Sequence, residues 1–281
     1  MLAGRRVEFV QDTPPRDLKN VMRNVGAAQR ILRRYRPDEL VTNGAGVALS
    51  FAPLAAMQGV RTHYIECSAR TEAPSVTGRI LERIPRVRLY AQDPAFAKDR
   101  WQYSGSVFDR YAVAQPAVVP ARGGVLDPAG TIRKVVVTVG SLSFSFVRLL
   151  TRLRKIIPPD AELLLQVGVD ADRLEWDGAG IRATMAPDEL DDEMASADVV
   201  IAHSGIGSAL ATLDAGKMPV LVPRLKRFGE HVDDHQVQIA RTLHARGLAV
   251  MADASSITFE DLQRAARHRT ETHRGRPFLL R

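Results

Sequence analysis

The residues best suited to chemistry lie between Asp198 and Gln236, in the segment DVVIAHSGIGSALATLDAGKMPVLVPRLKRFGEHVDDHQ. A strand-like run, Asp198–His203, delivers the small-residue loop Ser204-Gly205-Ile206-Gly207-Ser208 directly to a helix start. Bare backbone N–H groups, the positive end of a helix and two hydroxyls together make a cradle for phosphate. The same loop also suits a tight strand-to-helix turn that holds no ligand. A dinucleotide fingerprint fits poorly. Gly205 and Gly207 are followed by Leu210 where a third glycine would stand, and the next strand ends in Pro223-Arg224 with no ribose-binding acid. Arg224 suits a 2′-phosphate, which keeps an NADP reading open. No Gly-Lys-Ser/Thr follows any glycine loop, so a P-loop is excluded.

Downstream, His231 and His235 stand four apart beside Glu230, Asp233 and Asp234. Two imidazoles at that spacing suggest a metal pair, but a third convergent ligand and an HExxH pattern are not evident, so no metal site is assigned. A solvated acidic turn is one alternative. A clamp on sugar hydroxyls, with Asp234 accepting and Gln236 both donating and accepting, fits better beside a phosphate cradle. In the other half, Glu66 ends the strand-like run Arg61–Cys67, where doubly wound folds present functional groups. It is the candidate general base, and a structural carboxylate holding a loop is the competing reading. His203 is the second choice. Cys67 is read as a small buried thiol rather than a nucleophile.

These residues need elements to position them. Leu18, Val21, Met22, Val25, Ile31 and Leu32 recur at helical spacing and predict a helix over Pro15–Tyr35. Strand-like runs follow at Leu40–Thr42, Arg61–Cys67 and Val87–Gln92. Residues 112–132 are rich in proline, glycine and small residues and read as a linker. The alternation restarts with the apolar strands Lys134–Gly140 and Glu162–Gly168, the helices Phe146–Ile157 and Asp188–Ala195, and the strand Asp198–His203. A helix over Ala209–Ala215, a strand over Pro219–Pro223 and a helix over Asp234–Arg246 complete it. Near-continuous apolar strands alternating with helices imply a parallel sheet covered on both faces. The organisation expected is an α/β domain over residues 1–111, the linker 112–132 and a second α/β domain over 133–281, with ligand in the cleft between them.

Composition narrows the partners. The 281 residues include 39 Lys+Arg against 32 Asp+Glu, a net charge of +7 that suits an anionic partner without choosing one. Aromatics are only 6% and do not interleave with the basic residues, which argues against nucleic acid. One cysteine forbids an intrachain disulfide and argues for a reducing compartment. The 21-residue uncharged run Leu40–Val60 is long enough to span a bilayer, but Asn43, Gly44, Gly46, Ser50, Pro53 and Gly59 favour strand, loop and helix. The chain is therefore read as soluble. From Arg16 to Arg36, seven basic residues face one acid, Asp17, a charge pattern suited to an anionic membrane surface or to an ordinary solvated helix face.

The second half resembles the donor-binding half of family 28 glycosyltransferases, in particular the small subunit of the enzyme that adds the second N-acetylglucosamine to a dolichol-linked sugar. KVVVTVGS (Lys134–Ser141), LLLQVG (Leu163–Gly168), His203–Ser208 and GEHVDDHQ (Gly229–Gln236) carry the likeness. The first half resembles that enzyme's membrane-recruiting subunit through Thr42–Gly46, Tyr64-Ile65-Glu66, Pro74–Gly78 and Tyr103–Ser106. The whole is similar to a natural fusion of the two, as in bacterial exopolysaccharide glycosyltransferases.

The resemblance implies a GT-B fold, two Rossmann-like domains with parallel sheets facing a central cleft, and inverting transfer without a metal or other cofactor. It implies a UDP-sugar donor, a polyprenyl-diphosphate-linked sugar acceptor and work in the cytoplasm, peripherally at the membrane's cytoplasmic face. His203, Ser204, Gly205, Gly207, Ser208 and Arg224 would hold the diphosphate side of the donor, and Glu230, Asp234, His235 and Gln236 its sugar. Two departures stand out. The family's ribose-binding acid falls on Ala211, and its opening strand and glycine-rich loop have no counterpart here, so the first domain is expected to be incomplete. A non-catalytic nucleotide-sugar-binding subunit is the alternative.

Overall fold

The computed structural model describes residues 4, 6–14, 17–114, 131–140, 144–275 and 278–280. Arg16, Ser141 and most of the segment read as a linker, residues 115–130, lie outside them. The chain divides into two compact units, residues 1–106 with 277–281, and residues 107–276.

The first unit runs α1 (Leu18–Tyr35), β1 (Glu39–Thr42), α2 (Gly46–Met57), β2 (Arg61–Ile65), α3 (Val76–Leu81), β3 (Val87–Ala91) and β4 (Trp101–Tyr103). Its strands form a parallel sheet in the order β1-β2-β3-β4. Helix α1 opens at Asp17, whose carboxylate accepts from the Asn20 backbone N–H at 3.0 Å, and closes at Arg36, in the left-handed region with φ 43°. Its buried stripe is Val21, Asn24, Ala28 and Leu32, packed toward α2. Leu18 and Met22, expected on the apolar face, are 66% and 68% exposed. They are four apart and so share a stripe of their own, beside the one that meets α2.

The uncharged run 40–60 folds as β1, a loop and α2. Ala48, Ala52, Ala55 and Ala56 are buried along α2, and these small side chains let the helix pack closely against its neighbours. Ser50 Oγ donates to the Val21 carbonyl at 2.8 Å, joining α2 to α1. Among the described residues no helix is long and apolar enough to cross a membrane.

The second unit runs β5 (Tyr111–Val113), β6 (Lys134–Thr138), α4 (Val147–Leu153), β7 (Glu162–Gln166), β8 (Ala179–Arg182), α5 (Pro187–Ser196) and β9 (Val199–His203). It continues with α6 (Ile206–Asp214), β10 (Val220–Val222), α7 (His235–Ala245), β11 (Val250–Met251), α8 (Phe259–Ala266) and β12 (Thr270–Thr272). Six parallel strands lie in the order β8-β7-β6-β9-β10-β11, and β5 pairs antiparallel with β12. Counted from β6, the sheet order is the doubly wound 3-2-1-4-5-6, which reverses between β6 and β9. The apolar runs follow from burial on both faces. Val135 and Val137 pack with Leu149, Leu153 and Ile201 on one side, and Val136 packs with Met194 and Val200 on the other.

Candidate functional site

Ligands of doubly wound sheets bind beyond the carboxyl ends of the strands where the order reverses. Here that point holds the loops after β6 and β9. Strand β9 is buried throughout and ends at His203, 8% exposed. The imidazole Nδ1 lies 3.4 Å from the Thr138 carbonyl and 3.5 Å from Ser208 Oγ. Glycines on two sides make room for the ring. A Cβ on Gly205 would come within 2.4 Å of His203 Nε2, and one on Gly140, already at φ +77°, within 2.7 Å of Cε1. Burial first, and then the nearby Arg224 charge, push the His203 pKa down to about 4, so the ring is neutral at pH 7.

Helix α6 begins at Gly205 with no side-chain cap, so no side chain competes for its first-turn N–H groups. A Cβ at Gly207 would meet nothing within 4 Å: the helix end faces open space. Ser204 Oγ is fully buried beside this end and has no hydrogen-bond partner. An uncapped helix start that faces open space is the arrangement that accommodates an anion.

The remaining site residues have other partners in the folded chain. Arg224 is 1% exposed, and its guanidinium donates to the carbonyls of Val139 (2.6 Å), Phe144 (2.5 Å) and Glu230 (3.4 Å) while lying over the Phe146 ring. Its backbone N–H donates to Gln236 Oε1 at 3.0 Å. Glu230, also buried, is gripped by Arg148 and accepts from the Leu225 N–H at 2.9 Å. Asp234 is exposed and accepts from the Lys226 N–H at 2.8 Å. His235, partly exposed at the start of α7, contacts Asp233 through Nδ1. Arg224 donates to the Val139 carbonyl, next to the Thr138 carbonyl that lies against His203, so the loops after β6, β9 and β10 converge.

Glu66 belongs to the first unit and is 1% exposed at the end of β2. One carboxylate oxygen accepts from the Tyr64 hydroxyl (3.2 Å) and the Cys67 N–H (3.0 Å), and the other from the Ser75 N–H (2.9 Å). Ser75 in turn caps α3, its hydroxyl accepting from the Gly78 N–H. Cys67, expected to be buried on a strand, is exposed, because β2 ends at Ile65.

Three contributors escaped the sequence reading. Arg148 on α4 ties Glu230 to Asp253. Asp170 accepts from the Phe146 N–H (2.7 Å) and Ser145 Oγ (2.6 Å), fixing the entry to α4. Phe144 packs against the His231 ring at 5.4 Å. All three act across more than twenty positions of sequence, and no local pattern reports such a contact.

Residues 134–273 match the model of the glycosyltransferase family 28 C-terminal domain. Over 253 residues the chain is 27% identical to the UDP-N-acetylglucosamine–N-acetylmuramyl-(pentapeptide) pyrophosphoryl-undecaprenol N-acetylglucosamine transferase of Nitratidesulfovibrio vulgaris, covering 85% of this chain and 65% of that one. The chain thus spans about 65% of the length of that curated relative. It is 42% identical over 73 residues to the UDP-N-acetylglucosamine transferase subunit ALG13 of Yarrowia lipolytica, covering 26% of this chain and 35% of the relative. Among solved structures, MurG of Acinetobacter baumannii aligns with a TM-score of 0.58 at 17% identity, over 92% of this chain and 73% of its own. The calicheamicin glycosyltransferase CalG4 aligns with a TM-score of 0.54 at 14% identity, over 89% of this chain and 72% of its own. The fold is GT-B.

Proposed function

We propose, because residues 134–273 match the glycosyltransferase family 28 C-terminal domain, that the chain transfers a sugar from a UDP-sugar to a polyprenyl-diphosphate-linked acceptor in cell-surface polysaccharide synthesis. N-acetylglucosamine or a related hexose is the sugar, and the linkage is formed with inversion and without a metal. The observation that carries this reading is the start of α6, where an uncapped helix end and open space at Gly207 come together.

The chemistry follows from charge. As the sugar leaves, negative charge grows on the UDP diphosphate. N–H groups and the helix dipole fixed in advance at Ser204–Ser208 stabilise that charge with no reorganisation, and one such donor is worth ~10²–10³ in rate. Neutral His203 lies at the same end of the sheet and can donate or accept a hydrogen bond there. Asp234 and His235 orient the sugar. Arg224, Glu230 and Gln236 keep these loops in place through the Arg224 Nη groups, the Glu230 carboxylate and Gln236 Oε1, while the buried Arg224 Nε has no partner within the chain.

The state of Glu66 bears on the acceptor proton. With three donors on its carboxylate, we assign it to positioning the loop 67–75 rather than to proton abstraction. His203, with a pKa about 4, is too weak a base at neutral pH for that task. This favours, as the second reading, a nucleotide-sugar-binding subunit that acts with a partner transferase. Ala211, where relatives would be expected to contact the ribose, points the same way. On either reading the chain works at the cytoplasmic face of a membrane, where basic α1 meets anionic lipid.

UDP release from UDP-N-acetylglucosamine, measured with and without a polyprenyl-diphosphate-linked sugar, tests the first reading. Turnover that depends on the lipid acceptor is expected. Donor binding with no turnover would leave the subunit reading, and failure of every UDP-sugar to raise the melting temperature would end both.

A further inference from the structure

We propose that His231, Asp233 and His235 form a site for a divalent transition metal of the zinc class, and that an ion held there excludes the nucleotide-sugar. Each of the three side chains offers one ligand atom within 4.8 Å of the others. Asp233 Oδ1 lies 3.5 Å from His231 Nδ1 and contacts His235 Nδ1 directly, and the two rings meet edge to face at 4.7 Å between centroids. A tetrahedral ion ~2.0–2.1 Å from each ligand places ligand atoms roughly 3.3–3.5 Å apart, so small side-chain rotations close the site.

The donor set selects the ion. Two imidazoles and one carboxylate suit zinc, cobalt or nickel, whereas magnesium and calcium call for oxygen ligands. Three protein ligands leave a coordination position open. His231 is buried and braced by the Phe144 ring, which fixes one ligand in advance, while Asp233 and His235 are partly exposed and give the ion a way in.

The exclusion half rests on the reading of His235 as a donor-sugar residue. An imidazole bound to a metal through Nδ1 keeps Nε2 only as a donor, so it can no longer accept from a sugar hydroxyl, and the two ligands compete. The metal is therefore an inhibitor of donor binding and not a participant in transfer.

Cobalt is the probe, since its tetrahedral complexes absorb in the visible and need no activity to be seen. The full chain, freed of metal with EDTA and dialysed, should develop a d–d band that saturates at one ion per chain, bleaches with zinc and ignores magnesium. Asp233→Asn and His235→Ala, each checked for an unchanged circular dichroism spectrum, should weaken cobalt binding by more than the ~10–100-fold that loss of a mere supporting contact costs. No band, or a band that survives both substitutions, overturns the metal site. UDP-N-acetylglucosamine is then titrated calorimetrically with and without saturating zinc. A rise in apparent Kd of at least ~10-fold is expected, and an unchanged Kd overturns the exclusion. Should the metal-free chain fail to bind UDP-N-acetylglucosamine while the cobalt band stands, the nucleotide-sugar reading is what has failed.

Discussion

Arg148 holds both carboxylate oxygens of Glu230 at 2.9 Å, Nε on one and an Nη on the other. The side chains are 18% and 6% exposed, and the pair ties α4 to the loop that carries the candidate sugar residues. Removing one partner of a buried pair strands the other charge, at a cost of ~3–5 kcal/mol. Because Arg148 keeps some contact with solvent and with Asp253, Arg148→Ala is expected to lose about 3 kcal/mol. Urea unfolding measures this, and a loss under ~1 kcal/mol would show that the pair is not a structural tie.

The two glycines of the α6 loop should respond in opposite ways. Gly207→Val adds bulk in open space, so the fold survives while UDP affinity falls by ~100-fold or more. Gly205→Ala drives a Cβ into the His203 ring and should destabilise by ~1–3 kcal/mol. Calorimetric UDP titration and thermal unfolding on both variants read the two effects separately. Unchanged UDP affinity in folded Gly207→Val would remove the cradle.

His203 makes stability depend on acid. Its folded pKa, about 4, lies below the ~6.5 of an unfolded histidine, so between those values the unfolded chain binds a proton that the folded chain does not. The contribution is complete above pH ~6.5 and is lost as pH falls toward 4, an effect on the order of 3 kcal/mol. Stability curves of the parent and His203→Asn, taken from pH 4 to 7, should converge as pH drops. Parallel curves would mean the ring titrates normally.

Transfer itself should survive chelation. The cradle uses backbone dipoles where a cation would otherwise stand, so UDP release is expected to continue in EDTA at the untreated rate or above it. If EDTA stops turnover and magnesium or manganese restores it, the metal-free mechanism is wrong.

The exposed side of α1 carries Arg23, Arg30, Arg33 and Arg34 together with Leu18 and Met22. Each basic charge near an anionic bilayer contributes about 1 kcal/mol. Reversing Arg23, Arg30 and Arg34 to Glu should therefore abolish flotation with phosphatidylserine vesicles. Flotation indifferent to these changes would place the membrane contact elsewhere.

Much of the fold was legible from local pattern. The runs KVVVT and VVIAH are apolar at every turn of the pleat, as only strands covered on both faces need to be, and they lie at the centre of the sheet. The interruption of residues 40–60 by glycine and asparagine correctly separated β1 from α2. One legible signal went unread: Thr258 and Asp261 form a capping box that announces α8. The site divides along the same line. The loop Ser204–Ser208 is contiguous, so the strand, glycines and hydroxyls that would form a cradle can be read from local sequence. Arg224 and Glu230 have the composition of ligand-binding groups, and nothing local shows that carbonyls 80 and more residues away, or Arg148, already engage them.

The pairing of β5 with β12 has a mechanical consequence. Tyr111 lies opposite Thr272 and Val113 opposite Thr270, so the strand ends nearest the unit's two boundaries, after residue 106 and at residue 276, are side by side. Tension applied at those boundaries therefore peels the ribbon open from Tyr111 and Thr272 one rung at a time, instead of shearing all its rungs together. Arg246 on Asp109, the Tyr111 hydroxyl on Asp214 and the His273 N–H on the Arg110 carbonyl are the stitches met on the way. The ribbon acts as a fuse: its rungs part in turn before tension reaches the six-stranded sheet.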